Sequence, residues 1–212
     1  MSLMSADELL PARPATDVAA PTATTAPPER EDAARNRALL LDAARRLIAE
    51  RGAEAVTMDD IAAAAGVGKG TLFRRFGSRA GLMLELLHDD ETAFQQAFMF
   101  GPPPLGPGAE PLERLLAYGR RRLQFVCDHH ALLTDVSREP QTRFGPPMTL
   151  HHTHIRSLLA AADADGDLDV QADALLALTD PDYVRHQVTD RGVALDALAD
   201  SWGDVARKLC RR

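Results

Sequence analysis

Residues 66–76 read GVGKGTLFRRF, and this stretch decides between two very different folds. Glycines alternating with a lysine and a threonine are the ingredients of a phosphate-binding loop. A Walker A loop needs G-x-x-x-x-G-K followed by Ser or Thr, whereas here Gly70 follows Lys69 and Ala63 occupies the first glycine position. The dinucleotide fingerprint G-x-G-x-x-G fails as well, because Thr71 stands at its sixth position. Both nucleotide-binding loops are therefore excluded.

The residues that lead into this stretch predict a short helix instead of a strand. Thr57 begins a T-M-D-D capping-box pattern with Asp60 in its third position, and the helical run IAAAA follows. Gly66 is placed to end this helix, and a second short helix is predicted from Lys69 to Phe76. Two short helices joined by a tight turn form a helix-turn-helix, whose second helix enters the major groove of DNA.

Apolar spacing divides the second helix into two faces. Leu72 and Phe76 lie four positions apart, so they are expected to pack together into a small core. Gly68 and Gly70 are poor helix formers, each costing about 1 kcal/mol against alanine. They indicate places where the backbone itself approaches DNA closely. The predicted core neighbours are Leu47, Ile61 and Val67, and the predicted outward residues are Lys69, Thr71, Arg74 and Arg75.

The charge distribution favours a nucleic-acid module in the same part of the chain. The 212 residues include 24 basic and 31 acidic ones, a net charge of −7 that excludes bulk affinity for nucleic acid. Residues 30–88 nevertheless carry ten basic against eight acidic residues, while residues 1–29 and 89–212 are both acidic. This asymmetry indicates a DNA-binding part beside an acidic partner domain.

The whole sequence predicts an all-α protein of about nine helices. Residues 1–32, rich in Ala, Pro and Thr without apolar periodicity, are expected to form a disordered tail. Residues 33–92 are expected to form a three-helix domain, and residues 93–212 a second helical domain. No stretch shows sustained period-two alternation, so no sheet is expected. The predicted helices span 35–51, 57–65, 69–76, 79–98, 111–127, 129–136, 148–163, 171–186 and 194–210, with Pro181 expected to kink or break the eighth.

Residues 56–87, VTMDDIAAAAGVGKGTLFRRFGSRAGLMLELL, resemble the signature of TetR-family (TetR/AcrR-type) transcriptional regulators. The capped helix, the A-G-V turn, the K-G-T-L run, the F-x-S-basic junction and the following leucines have the family's spacing, and the similarity covers roughly residues 35–90. The resemblance implies a homodimeric repressor that binds a palindromic double-stranded DNA operator and is released by a small-molecule effector. Residues 93–212 would then bind the effector and form the dimer. Repression and activation both remain open at this point.

The resemblance also implies a set of DNA contacts. Thr57 would cap the second helix and touch a phosphate, and Ser78 would offer helix-start amides to another phosphate. Arg75 and Arg79 would clamp the DNA backbone. Phe73 stands where members of the family commonly have Tyr, so a hydroxyl-to-phosphate hydrogen bond is lost. The full predicted set is Thr57, Gly68, Lys69, Gly70, Thr71, Phe73, Arg74, Arg75, Ser78 and Arg79.

Two further sites are expected in the second domain. An apolar effector pocket with a few polar groups is implied by the resemblance, although core packing explains the same residues equally well. The leucine-rich segments 171–186 and 194–210 predict a two-fold four-helix dimer interface with Trp202 as its anchor; the other interpretation is burial within one subunit. The predicted pocket residues are Phe94, Phe98, Tyr118, Arg122, Phe125, Phe144, His151 and Tyr183, and the predicted interface residues are Leu175, Leu178, Leu198, Trp202, Val205 and Leu209.

A metal-responsive regulator with the same DNA module is the alternative. His151 and His154 lie three positions apart and could share a helix face, but no cysteine or acidic partner lies at motif spacing beside them. Pocket-lining or solvated histidines are therefore favoured, and no metal or other cofactor is assigned. The stretch DADGDLD (163–169) is not an EF-hand, because Gly166 is its fourth residue instead of its sixth.

The remaining features predict a cytoplasmic protein that is not an enzyme. Cys127 and Cys210 lie far apart, which fits a reducing compartment. No apolar run approaches the roughly 18–20 residues that span a membrane, and the amino terminus lacks a signal-peptide core. No nucleophile–base pair or cofactor motif is present, so double-stranded DNA and a small molecule are the expected partners.

Overall fold

The computed structural model describes residues 28–210, in which every regular element is a helix. This confirms the all-α prediction for the described part of the chain. A short 3-10 helix spans Ala53–Ala55, and a π-helical turn, His186–Asp190, continues one of the α-helices. The α-helices are α1 (Pro28–Arg51), α2 (Met58–Ala65), α3 (Lys69–Phe76), α4 (Arg79–Phe100), α5 (Pro111–Asp128), α6 (His130–Ser137), α7 (Pro140–Arg143), α8 (Pro146–Ala161), α9 (Leu168–Ala177), α10 (Pro181–Arg185) and α11 (Leu195–Leu209).

Eleven α-helices in residues 28–210 compare with about nine predicted. The difference comes from the short α7, which was not predicted, and from a break at Pro181, which was. Pro181 is the first residue of α10, where its missing N–H leaves no helical hydrogen bond unmade. Asp180 caps the new helix by accepting from the backbone N–H of Asp182. Residues 1–27 of the predicted tail lie outside the described residues, and α1 begins at Pro28.

The capping box that was predicted from the sequence forms at the start of α2. Thr57 Oγ1 accepts a hydrogen bond from the backbone N–H of Asp60 at 3.1 Å, and Asp60 Oδ2 accepts from that of Thr57 at 2.9 Å. The Thr57 hydroxyl also donates to Asp60, and these bonds lower the pKa of the Asp60 carboxyl. Gly66 ends α2 in the left-handed region with φ 65°, which a residue with a side chain rarely adopts.

A small core holds the first three helices together. Leu72 of α3 and Ile61 of α2 are fully buried, and Leu47 of α1 packs in the same core. Val67 and Phe76 are partly buried against it, as their spacing predicted. Burying one such aliphatic side chain stabilises the fold by roughly 1.5–3 kcal/mol. The orientation of α3 is therefore set by its apolar face, and its polar face is directed outward.

A cluster of aromatic rings fills the centre of the second domain, between α4, α5 and α8. Phe94 and Phe98 of α4 pack against Tyr118 and Phe125 of α5, with ring centroids 5.4–5.7 Å apart. None of the four side chains is more than 2% exposed. The contact between α4 and α5 is therefore a closed aromatic core.

Trp202 joins α11 to the rest of this core. Its ring lies so close to Gly119 of α5 that a Cβ at that position would come within 2.1 Å of it. Its indole N–H donates to the carbonyl of Leu175 at 2.9 Å, which satisfies the one polar atom of the buried ring. Trp202 is 3% exposed within a single subunit. It is consequently a core residue, which favours burial within one subunit over the predicted role as the anchor of a dimer interface.

The other predicted interface residues also face the interior of the subunit. Leu175 is fully buried and Leu198 is buried, so neither offers a free apolar surface to a partner. Leu178, Val205 and Leu209 are partly buried against the same core. The outward face of α11 carries Asp196, Asp200, Ser201 and Asp204 instead. The apolar residues of the last helices therefore pack mainly within the core of a single subunit.

Candidate functional site

The outward face of α3 is basic and open. Lys69, Arg74 and Arg75 are exposed, and Thr71 is partly exposed beside them. A Cβ built at Gly68 or at Gly70 would find no atom within 4 Å, so the backbone itself is accessible there. This face has the shape and charge for contact with a polyanion, as the sequence predicted for the second helix of a helix-turn-helix.

Lys69 has a partner on the neighbouring helix. Its Nζ lies 2.7 Å from Oδ1 of Asp59 in α2, and both side chains are more than half exposed. The same ammonium lies 5.9 Å from the centre of the Phe73 ring. An exposed ion pair contributes only about 0–1 kcal/mol. Exchanging Asp59 for an acceptor on DNA would therefore cost Lys69 little free energy.

Arg79 and Ser78 make contacts within the protein that the sequence did not predict. Arg79 Nε donates to Asp135 Oδ2 in α6 at 2.8 Å, and the two terminal nitrogens of its guanidinium donate to the carbonyls of Val56 and Ala53. These bonds occupy the guanidinium within the subunit, so they favour a structural role for Arg79 over the predicted contact with the DNA backbone. The Ser78 hydroxyl caps α4 through the backbone N–H of Gly81 and donates to Glu139 at 2.9 Å. It is likewise directed at the second domain.

These contacts form an interdomain junction, by which we mean Ser78, Arg79, Asp135 and Glu139. Asp135 is only 8% exposed and also accepts from Arg138 at 3.0 Å, so its carboxylate is held between two guanidinium groups. Charge-assisted hydrogen bonds of this kind are about twice as strong as neutral ones. The junction therefore fastens the helix-turn-helix to α6.

The second domain contains a cavity of about 500 Å³, a size typical of small-molecule sites. Its walls come from α5, α6, α7, α8, α9 and the start of α10. Most of the lining is apolar and includes Leu133, Val136, Phe144, Met148, Leu176 and Pro181. The titratable groups that reach it are Arg122, Arg143, His152, Asp173 and Asp180.

The predicted pocket agrees with this cavity only in part. Arg122 and Phe144 line it, and Phe144 is 71% exposed at its side. The other predicted aromatic residues do not line it, because the rings of α4 and α5 close on one another instead of lining a space. Tyr183 is partly buried and does not line the cavity. The predicted residues in the closed core are Phe94, Phe98, Tyr118, Phe125 and His151.

Glu91, which the sequence reasoning missed, organises a buried polar network beside the aromatic core. Its Oε1 accepts from Gln95 at 2.8 Å and lies 2.6 Å from Nε2 of His151. Burial alone raises the pKa of Glu91, but the hydrogen bond from His151, the charge of Arg122 and the bond from Gln95 outweigh it and lower the pKa to about 2. The signal was present in the sequence, because Glu91 interrupts the apolar stripe Leu87, Phe94, Phe98 of α4.

His151 links this carboxylate to Tyr118. Burial lowers the pKa of His151, with Arg122 acting in the same direction, so the imidazole is neutral at pH 7. A neutral imidazole has one donor and one acceptor. Nε2–H therefore donates to Glu91, and Nδ1, at 2.9 Å, accepts from the Tyr118 hydroxyl. Burial raises the pKa of Tyr118, which keeps that hydroxyl protonated.

His154 lies on the same face of α8, as its spacing predicted, but the pair does not form a metal site. Its ring packs 4.3 Å from that of Phe98, and its Nε2 is buried without a hydrogen-bond partner. Both ring nitrogens of His151 are already engaged. Across residues 28–210, no group of three or more His, Cys, Asp or Glu side chains is placed to hold an ion. The geometry therefore does not favour the metal-responsive alternative.

The buried histidine predicts a loss of stability in mild acid. Burial, then Arg114 and His151, lowers the pKa of His154 to about 4 from 6.5. The unfolded chain thus binds more protons between pH 6.5 and 4, and stability falls as the pH falls through that range. Between pH 7 and pH 5 this group removes about 2 kcal/mol. His154→Leu is expected to reduce the pH dependence of urea unfolding by that amount.

Leu158→Ala serves as the control for this experiment. Leu158 is buried one turn further along α8 and does not titrate. Its replacement is expected to lower the free energy of unfolding equally at pH 7 and pH 5. An unchanged pH dependence in His154→Leu would contradict the assignment of the acid sensitivity to this ring.

The fold and the exposed basic helix define a helix-turn-helix protein, and comparison with known proteins shows which regulators its first domain resembles. Residues 40–86 match the model of the bacterial regulatory proteins, tetR family. An uncharacterized HTH-type transcriptional regulator of Mycobacterium tuberculosis is 36% identical over 93 residues, which are 44% of this chain and 45% of the relative. The chain thus matches less than half of that relative's length.

Solved structures extend the likeness to the second domain. A TetR-like transcriptional regulator from Rhodococcus sp. RHA1 is 25% identical with a TM-score of 0.53, over 82% of this chain and 94% of the other. NalD, the secondary repressor of the MexAB-OprM efflux pump in Pseudomonas aeruginosa, shares the fold with a TM-score of 0.57 and 20% identity, over 84% and 97%. The resemblance found in the sequence is confirmed, because residues 40–86 match the tetR-family model and the described helices share the fold of TetR-like regulators. Among the described helices, none combines the length and apolar character required to cross a membrane.

Proposed function

We propose that this protein is a cytoplasmic transcriptional repressor that binds a palindromic operator as a homodimer and leaves it when a small molecule occupies the cavity. The observation that carries the proposal is the polar face of α3. Its exposed Lys69, Arg74 and Arg75 lie on a helix whose other face is buried in the core of a TetR-type domain. Phosphate contacts from such a face position the protein, and contacts to base edges provide sequence specificity.

Homodimerisation follows from the geometry of the duplex. One α3 of eight residues reaches only a few base pairs, which is too little for a specific site. Two copies related by a two-fold axis read two half-sites if their recognition helices lie about 34–36 Å apart, one turn of DNA. The operator is then an inverted repeat, because two identical subunits related by a two-fold axis each bind the same half-site sequence.

The cavity and the DNA-binding domain share α6, which supports release by a ligand. Leu133 and Val136 of this helix line the cavity, and Asp135 between them holds Arg79 in the junction. A ligand that moves α6 therefore also changes the contact between α6 and the helix-turn-helix domain. Shifting a binding-competent population from 99:1 to 1:99 requires about 5.5 kcal/mol of differential ligand affinity. Burying a few hundred square ångströms of apolar ligand supplies that at about 25 cal/mol per Å².

Selection of binding sites from random DNA duplexes tests the core of this proposal. We expect an inverted repeat whose half-sites lie one helical turn apart, bound by two subunits in sedimentation experiments. Recovery of a single asymmetric half-site bound by one subunit would contradict the homodimer. Recovery of no preferred sequence would contradict operator recognition altogether.

Arg75 is expected to set part of the salt dependence of operator binding. Each phosphate contact releases condensed counterions, so Arg75→Ala should reduce the slope of log affinity against log salt by about one unit. The slope is measured by fluorescence anisotropy on the selected operator. Arg207→Ala, which removes a cation from α11 far from α3, is the control and should leave the slope unchanged. Equal slopes for wild type and Arg75→Ala would remove Arg75 from the DNA contacts.

A further inference from the structure

Arg122 is the deepest charged group of the cavity, and its hydrogen-bonding capacity is largely unused. Its side chain is 5% exposed, and its Nε is buried without a hydrogen-bond partner. One terminal nitrogen donates only to the thioether of Met148 at 3.6 Å, and the other lies 3.8 Å from the Glu91 carboxylate. A thioether is a weak acceptor, and 3.8 Å is too long for a hydrogen bond. A buried guanidinium in this state favours an additional strong acceptor.

The other charged groups of the cavity already have partners. Arg143 donates to Asp180 at 2.6 Å, and Asp180 also caps α10 through its second oxygen. His152 lies 3.5 Å from Asp173, near the more exposed side of the wall. The Asp180 carboxylate is thus paired with Arg143, and the Asp173 carboxylate is in contact with solvent. Among the charged residues that line the cavity, Arg122 combines deep burial with an unpartnered polar atom.

We propose that the cavity binds an apolar carboxylic acid whose carboxylate pairs with Arg122. This inference rests on the proposed function, since the acid would be the effector. A guanidinium presents parallel N–H donors that match the two oxygens of a carboxylate, and such bidentate pairs are strong when water is excluded. The carboxylate takes the place of the thioether contact. Leu133, Val136 and Leu176 surround the apolar body of the ligand.

A direct binding measurement without DNA tests the ligand class. The probes are 4-phenylbutyrate, naphthalene-2-carboxylate and decanoate, each compared with its primary amide by isothermal titration calorimetry on the full chain. We expect at least one acid to bind about 10- to 100-fold more tightly than its amide, because the amide is uncharged and presents a single acceptor oxygen. Arg122→Met should abolish that preference and leave the affinity for the amide within about threefold.

Arg121→Met is the matched control, because this neighbouring arginine is exposed and does not line the cavity. It should keep the full preference for the acid. Should Arg122→Met fail to fold, the comparison of acid and amide in the wild-type protein decides alone. Equal binding of acids and amides, or binding of none of the three acids, would overturn the inference.

The outcome is separable from the test of the proposed function. Operator selection measures DNA recognition in the absence of any ligand, so it succeeds or fails independently of the acids. An acid that binds through Arg122 but leaves the operator complex intact supports the site and contradicts ligand-driven release. A regulator that binds an inverted repeat but no acid supports DNA recognition and overturns the ligand class.

Discussion

Trp202→Ala is expected to lower the free energy of unfolding by about 3–5 kcal/mol, the largest effect of any single substitution considered for this protein. The ring is buried between α5 and α11 and fills the space that Gly119 leaves open. Alanine would leave a cavity there and would remove the hydrogen bond to the Leu175 carbonyl. Urea unfolding followed by circular dichroism measures the change.

Ser201→Ala provides the comparison for that experiment, because it alters the adjacent exposed residue of the same helix. Its effect should stay within about 0.5 kcal/mol, as for most surface substitutions. Sedimentation equilibrium on both variants distinguishes the two roles considered for Trp202. A weakened dimer with an unchanged stability of the subunit would show that the ring acts between subunits after all.

Arg79→Ala is expected to destabilise the protein by about 2–3 kcal/mol and to weaken operator binding without changing its salt dependence. The guanidinium holds two backbone carbonyls of the helix-turn-helix domain and the Asp135 carboxylate at once. Its loss leaves Asp135, largely buried, with Arg138 as its remaining charged partner. The DNA-binding domain then loses its main polar contact with α6. The number of phosphate contacts stays the same, so the salt slope does not change.

Arg75→Ala is the reciprocal control for the junction. Arg75 is exposed on the outward side of α3 and makes none of the junction contacts, so its loss should flatten the salt slope and leave the unfolding free energy nearly unchanged. Arg79→Ala is thus expected to change the free energy of unfolding but not the salt slope, and Arg75→Ala to change the salt slope but not the free energy of unfolding. A flattened slope for Arg79→Ala would restore Arg79 to the DNA contacts and contradict the junction.

Local signals made much of the fold predictable. The capping box at Thr57, the left-handed Gly66, the N-cap Ser78 and the break at Pro181 each depend on residues within four positions along the chain. The apolar face of α3 also follows from spacing alone, and Leu72 is buried as predicted. These features require no knowledge of distant parts of the chain.

Features that depend on distant partners were not predictable in the same way. The family resemblance implies a DNA contact for Arg79, whereas its partner in the structure, Asp135, lies 56 residues further along the chain. The aromatic residues of α4 and α5 suit a pocket or a core equally well, and only the packing of the helices decides which. The cavity itself lies where α5, α6, α7, α8, α9 and the start of α10 meet, and no short motif marks such a junction of six helices.

The pair between Lys69 and Asp59 has a consequence for how the protein searches a genome. A carboxylate beside the recognition helix competes with every phosphate and base edge for the same ammonium. All DNA sequences must displace it, and the displaced Asp59 then faces a polyanion. Only a DNA site that offers Lys69 a well-placed acceptor replaces the free energy of the lost pair. Complexes with random DNA are therefore shortened more than complexes with such a site. For the proposed repressor, Asp59 would be an internal competitor that shortens the residence time on random DNA, and because genomic sites outnumber operators by about a million or more, that selectivity would act at almost every encounter.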